Sequence, residues 1–150
     1  MNGITRKVDS NIFREIIDVN VTGTFLMIKY ALNIMREEKF GRIINISSVV
    51  PQIGLHRTTA YSSSKSALWG LTKIVSNENT FENITCNCLN FGYFNIGMIN
   101  EVSPKVKDFI LSRIPMKKFG DPINIYNAIE LLRLSDYING ANIDINGGIY

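Results

Sequence analysis

The run Ile43-Ile44-Asn45-Ile46-Ser47-Ser48 constrains the fold of this chain more than any other segment. Three isoleucines in its first four positions give it an apolar flavour, so it reads as a buried strand. Such strands are buried on both sides in a parallel sheet. Parallel neighbours need long crossover connections, usually helices, and the flanking sequence supplies them. Ile12, Phe13, Ile16, Ile17 and Val19, then Phe25, Ile28, Leu32 and Met35, keep helical spacing. They predict one long helix that starts with Ser10 as N-cap, runs to about Glu38 and is closed by Gly41. In its middle, Asn20-Val21-Thr22-Gly23-Thr24 lower helix propensity, and a local distortion at Asn20 is expected. Val49–Thr59 reads as a loop. A second helix is expected from Ala60 to about Asn77, a strand over Ile84–Leu89 and a turn-rich loop from Phe91 to Met98. Helices over Ser103–Ile114 and Pro122–Leu134 follow, the latter capped by Asp121, and then a last strand over Ala141–Ile145. Strands alternating with helices mean an α/β domain, and 150 residues make a single one.

Within this frame, Asn20, Ser48, Tyr61 and Lys65 form a set that can do carbonyl chemistry. Tyr61 and Lys65 are spaced i, i+4, which stacks them on one face of a helix. Ser48 ends the apolar strand, thirteen residues before Tyr61. The set offers a phenol to deliver a proton, a cation to acidify it and a hydroxyl to hold the carbonyl oxygen. A Tyr-x-x-x-Lys pair alone arises by chance roughly 0.4 times in such a chain, but requiring Ser and Asn at their offsets cuts that about a hundredfold.

At these residues the chain resembles the short-chain dehydrogenase/reductase family. Gly41–Ser48 is similar to the family's strand ending in the catalytic serine. Asn83–Gly92 is similar to its later strand and Pro-Gly turn, with Phe91 in place of the proline. Asn139-Gly140 through Asn146-Gly147-Gly148 resembles its last strand and terminal Gly-Gly. The resemblance runs from Asn2 to Tyr150 and is nearest to the 3-oxoacyl carrier-protein reductase branch. It implies NAD(P)-dependent reduction of a carbonyl, a 3-oxoacyl thioester or similar ketone, with NAD or NADP as cofactor. Tyr61 would be the general acid, Lys65 its acidifying cation and a ribose contact, Ser48 the holder of the substrate oxygen, and Asn20 the anchor of a water reaching Lys65. A free phenol titrates near pH ~10 and needs ~4 kcal/mol to work at neutrality. An ammonium at ~4–5 Å supplies about 3–4 kcal/mol at an effective dielectric of ~20. Asn2, Gly3, Phe91, Gly92, Phe94 and Ile96, together with Tyr61 and Lys65, would contact the cofactor. Ile96 stands where the family commonly has a threonine.

The family's Thr-Gly-x-x-x-Gly-x-Gly phosphate loop has no counterpart among the eleven glycines. Such a loop sets backbone N–H groups and a helix N-terminus against the pyrophosphate. The resemblance therefore implies the C-terminal part of a Rossmann-like doubly wound parallel sheet, lacking the N-terminal nucleotide-binding strands. Two outcomes are open: a reductase completed by a separate N-terminal half, or a truncated, non-catalytic remnant or interaction module. The family's sheet order would leave three strands, with Ile43–Ser48 at an open edge. An open apolar edge recruits a strand or aggregates, so a homo-oligomer is expected, the family's two long helices providing the interface and Leu68 and Trp69 serving there.

The remaining composition excludes other classes. Net charge is +3 with no basic stripe, which argues against nucleic acid. No apolar run approaches a membrane span and no signal-peptide pattern is present, so the expected compartment is the cytoplasm. Cys86 and Cys88, at i and i+2, fit two thiols packed on one strand face better than a metal site. No metal is expected. His56 reads as a solvated loop residue.

Overall fold

Three parallel strands carry the fold: β1 (Gly41–Ser48), β2 (Ile84–Phe91) and β3 (Asn142–Ile145). They lie in the order β1-β2-β3 in a computed structural model that describes residues 4–150. Gly41 pairs with Ile84 and Ser48 with Phe91, and Cys88 through Phe91 pair with Asn142 through Ile145. Every residue from Ile84 to Asn90 is buried, as a central parallel strand requires. β2 extends two residues beyond the expected Leu89, because its ladder with β1 continues to Ser48.

The long first helix is continuous but changes pitch. α1 (Ser10–Ile17) passes through a π-helical turn, Asp18–Thr22, into α2 (Gly23–Glu37). The expected distortion thus falls on Asn20. Its carbonyl accepts the Thr24 hydroxyl at 2.8 Å, and the Gly23 N–H reaches back to the Asp18 carbonyl. Two end assignments are corrected. Asp9, not Ser10, caps the helix, its carboxylate accepting the Asn11 N–H at 2.7 Å. Lys39, at φ +48°, takes the left-handed position after α2, and the Phe40 N–H bonds the Met35 carbonyl at 3.0 Å. Gly41 serves a different need: a Cβ there would lie 2.6 Å from the Met35 sulfur.

After β1 the expected loop contains one helical turn, α3 (Val50–Ile53), with Pro51 in its first turn and Gly54 closing it at φ +60°. α4 (Thr59–Asn79) is the longest helix. α5 (Pro104–Arg113) and α6 (Ile123–Leu134) lie close to their expected spans, and the Asp121 carboxylate accepts the Ile123 N–H at 2.9 Å.

The core between sheet and helices centres on Ile28, Ile43, Val75, Ile84 and Cys86, with Leu32, Met35 and Leu71 packed against it. Each such side chain, fully buried, contributes about 1.5–3 kcal/mol. Both cysteines are free and wholly buried. Burial pushes the Cys86 thiol up to about 12 and the Cys88 thiol up to about 11. Leu68 is buried, and the Trp69 indole donates to Asn90 Oδ1 at 2.8 Å. Leu68 is thus taken up by the core, which corrects its expected place at a helix-pair interface, whereas Trp69 is half-buried with its indole bonded to β2. Phe25, Met27, Tyr30 and Ile34 make an exposed apolar face on α2, and α5 and α6 also expose Phe109, Tyr126 and Leu134. No helix among the described residues is long and apolar enough to cross a membrane.

Candidate active site

α4 presents Tyr61 and Lys65 one turn apart, and the Lys65 Nζ lies 5.8 Å from the centre of the Tyr61 ring. The ammonium also donates to the Ile46 carbonyl on β1 at 2.9 Å. Burial holds the Lys65 pKa below its ordinary value, and the Cys88 thiol opposes that shift more weakly. A depressed lysine pKa eases proton exchange through the ammonium.

Three hydrogen bonds fix the helix in this place. Ser47 Oγ donates to the Lys65 carbonyl at 2.9 Å, which ties the tip of β1 to the lysine's own turn. Ser64 Oγ donates to the Tyr61 carbonyl at 2.8 Å and accepts from Asn20 Nδ2 at 3.0 Å. Asn20 thus spends its amide N–H on α4, one residue before Lys65. Sequence reasoning missed Ser47 and Ser64. The available signal was Ser62-Ser63-Ser64 inside a helix, where serine is a weak former; of the three only Ser64 is buried.

Ser48, buried at the last position of β1, accepts the Val50 N–H at 3.2 Å. That bond occupies an oxygen lone pair and leaves the hydroxyl proton free to donate. The turn after β2 begins beside it, since Val49 N–H bonds the Phe91 carbonyl at 2.9 Å. Gly92 lies against β3, where a Cβ would meet the Asn146 backbone at 2.6 Å. Phe94 is buried against Phe91, ring centres 5.4 Å apart, and bridges to Gly120. The bridge uses the Tyr93 carbonyl and the Asn95 N–H, so the Phe94 side chain points into the protein. The Ile96 side chain is half exposed. Asn2 and Gly3 lie outside the described residues.

Two clefts flank these groups. One, of about 670 Å³, runs between α2 and the free edge of β1 and is lined by both Asn20 and Lys65. The other, of about 620 Å³, opens where β2 and β3 end, between Tyr93–Asn95 and Asn146–Gly148. The carboxyl ends of parallel strands are where open α/β sheets take their ligands. Ser48, Tyr61 and Lys65 lie on elements that converge at that end. The arrangement offers a phenol, a neighbouring cation and a buried hydroxyl with its proton available. Among the described residues no group of three or more metal-ligating side chains occurs.

A family model described as enoyl-(acyl carrier protein) reductase matches residues 2–150. A 3-oxoacyl-(acyl-carrier-protein) reductase of Aquifex aeolicus is 35% identical over 140 residues, covering 92% of this chain and 56% of that protein. An acetoacetyl-CoA reductase of Allochromatium vinosum is 34% identical over 155 residues, covering 99% of this chain and 63% of its own length. The 3-oxoacyl-(acyl-carrier-protein) reductase of Rickettsia felis is 34% identical over 139 residues, with 91% of this chain and 58% of that protein covered. The chain therefore spans less than two thirds of the length of these curated relatives.

Proposed function

The chain belongs to the short-chain dehydrogenase/reductase family, and on that premise we propose that it supplies the proton-delivery part of an NAD(P)-dependent reductase acting on 3-oxoacyl thioesters or similar ketones. Tyr61 gives its phenolic proton to the substrate's carbonyl oxygen. Lys65 stabilises the phenolate that remains and, with a lowered affinity for its own proton, passes one on. The free hydroxyl proton of Ser48 holds the carbonyl oxygen for transfer. Asn20 acts through Ser64, holding the Tyr61–Lys65 turn against the π-helical turn of the first helix.

NADH or NADPH, when bound, supplies the hydride. The residues present fit one end of that cofactor. Tyr61 and Lys65 would face its nicotinamide ribose, and the backbone of the Phe91–Ile96 turn would line the nicotinamide. They do not fit the pyrophosphate, for which the sequence has no glycine-rich loop. The reading accordingly needs a further portion, equivalent to the part of the relatives outside the match, to carry the phosphate site, and it places the protein in the cytoplasm as a homo-oligomer.

The observation that carries this reading is the fixed stack of Lys65 beneath the Tyr61 ring, locked by Ser47 to the strand that ends in Ser48. A second reading, a non-catalytic assembly module, is favoured by the exposed apolar face of α2. One experiment separates them. The part of the Aquifex relative outside its match is fused to this chain, and acetoacetyl-CoA reduction is followed with NADPH and NADH. The reductase reading expects turnover in the fusion and none in the lone chain. A folded fusion that binds NADPH but reduces no 3-oxoacyl thioester favours the module.

A further inference from the structure

The face of the sheet beneath α4 is polar where a parallel sheet ordinarily meets its covering helix with apolar side chains. Asn45 and Ser47 on β1 and Asn90 on β2 are all buried, and each bonds α4. Asn45 Nδ2 donates to Thr72 Oγ1 at 2.8 Å, Ser47 Oγ to the Lys65 carbonyl at 2.9 Å, and the Trp69 indole to Asn90 Oδ1 at 2.8 Å. Lys65, Trp69 and Thr72 stand at i, i+4 and i+7, which is one stripe of the helix. Apolar burial is non-directional and would let α4 roll or slide on the sheet. Hydrogen bonds depend on angle and distance and resist both motions.

Two of the three bonds end on β1, so they fix α4 along one line and leave rotation about that line open. The third, from Trp69, ends on β2 and closes the rotation. Ser47 and Asn90 are direct neighbours in the β1–β2 register. Their two anchors therefore sit at one level of the sheet, beside the end of β1 that carries Ser48. Trp69 lies one turn beyond Lys65, as Lys65 lies one turn beyond Tyr61. The indole bond thus holds the end of the helix segment that presents the phenol and the ammonium.

The chemistry of Asn90 fixes which way round its amide sits. An indole N–H only donates, so the amide must turn its oxygen to Trp69. Its NH2 group then needs an acceptor, because an unpaired buried amide is costly. The Asp144 carboxylate, which only accepts when ionised, takes that bond at 2.8 Å. A flipped amide would set N–H against N–H and oxygen against carboxylate. Cys88 Sγ adds a weak donor to the same Oδ1 at 3.7 Å.

We propose that Asn90 is a positioning residue for proton delivery. Through Trp69 it sets the rotation of α4 on the sheet, and with it the places of Tyr61 and Lys65, while Asp144 sets the orientation of its amide. The consequence for turnover rests on the reductase reading; the hold on α4 does not. The two are read separately, by hydrogen exchange in this chain and by steady-state kinetics in its fusion with the unmatched part of the Aquifex relative. Trp69 is the only tryptophan, so its indole signal is unambiguous.

Asn90→Leu is close in volume and removes the bonds to both Trp69 and Asp144. The Trp69 indole N–H and the amides from Lys65 to Thr72 should exchange about tenfold faster, while those of Ile84 and Cys86, at the far end of β2, keep the wild-type rate. In the fusion, kcat for acetoacetyl-CoA reduction should fall about 10- to 100-fold with KM unchanged. A misplaced acid gives that split, and a merely less stable enzyme does not. Asp144→Ala, at an exposed residue of the edge strand, releases the amide without cutting into the core. It should show the same pattern at about threefold, and it carries the test should Asn90→Leu not fold. Two results overturn the proposal. One is α4 exchange that is unchanged in both variants, or raised equally throughout the described residues. The other is a wild-type kcat in Asn90→Leu. A wild-type fusion without turnover overturns the reductase reading, and the exchange result then decides whether Asn90 holds α4.

Discussion

The two edges of the sheet are finished in opposite ways. β3 is four residues long and half polar, and its Asp144 is tied on all sides. The carboxylate accepts from Asn90 at 2.8 Å and from Gln52 at 3.0 Å, and it bonds the Tyr150 hydroxyl. β1 is twice as long and, among the described residues, bonded outward only at the Ile46 carbonyl. β3 has the features of an edge that faces solvent or a rim, whereas β1 keeps a long ladder with β2 and lies beside a cleft. Both Asn20 and Lys65 line that cleft. The residues proposed to deliver the proton are thus positioned by this chain and stand beside its open strand edge.

The contrast can be broken from the β3 side first. Gly92→Ala drives a Cβ to within 2.6 Å of the Asn146 backbone and should cost about 3 kcal/mol, read as a lower urea midpoint. An unchanged midpoint would mean that β3 is held loosely. Asp144→Asn should cost about 1 kcal/mol and adds a pH test. Burial pushes the Asp144 carboxyl up, but hydrogen bonds from Tyr150, Gln52 and Asn90 outweigh it and hold the pKa below its ordinary value. A folded-state pKa below the unfolded one stabilises above the unfolded value near ~3.9 and is lost as pH falls through the folded one. The gap between wild type and Asp144→Asn should therefore be full at neutral pH and close in acid. A gap that widens in acid would reverse the sign.

The smallest thermodynamic effect is expected on the β1 side. Ile46→Lys, at a side chain 38% exposed, should change stability by no more than about 0.5 kcal/mol. It should nonetheless shift light scattering of the lone chain from oligomer toward monomer, because a lysine blunts an open edge. A wild-type chain that is already a monodisperse monomer would remove the difference between the edges.

Much of this architecture is legible in the residues. The isoleucine-rich run of β1 announces a parallel sheet, and Val21-Thr22-Gly23 announce the break that becomes the π turn. The Tyr61–Lys65 stack follows from helical spacing alone. What escapes is decided by cap geometry at the helix ends and by tertiary contact elsewhere. Asp9 outcompetes Ser10 because its carboxylate reaches the Asn11 N–H. Lys39 adopts the left-handed position because it directly follows the cap residue Glu38, while Gly41 is already paired with Ile84 in β1. Trp69 turns inward because Asn90, twenty-one residues away, offers it an acceptor. Ser47 and Ser64 are two among eleven serines until the fold brings them to α4.

The most direct test of the proton-delivery assignment is Tyr61→Phe in the fusion with the unmatched part of the Aquifex relative. The variant keeps the ring that Lys65 packs against and loses only the acidic proton. Acetoacetyl-CoA reduction should fall by about 100- to 10,000-fold while NADPH binding stays intact. Near-normal turnover would contradict the assignment.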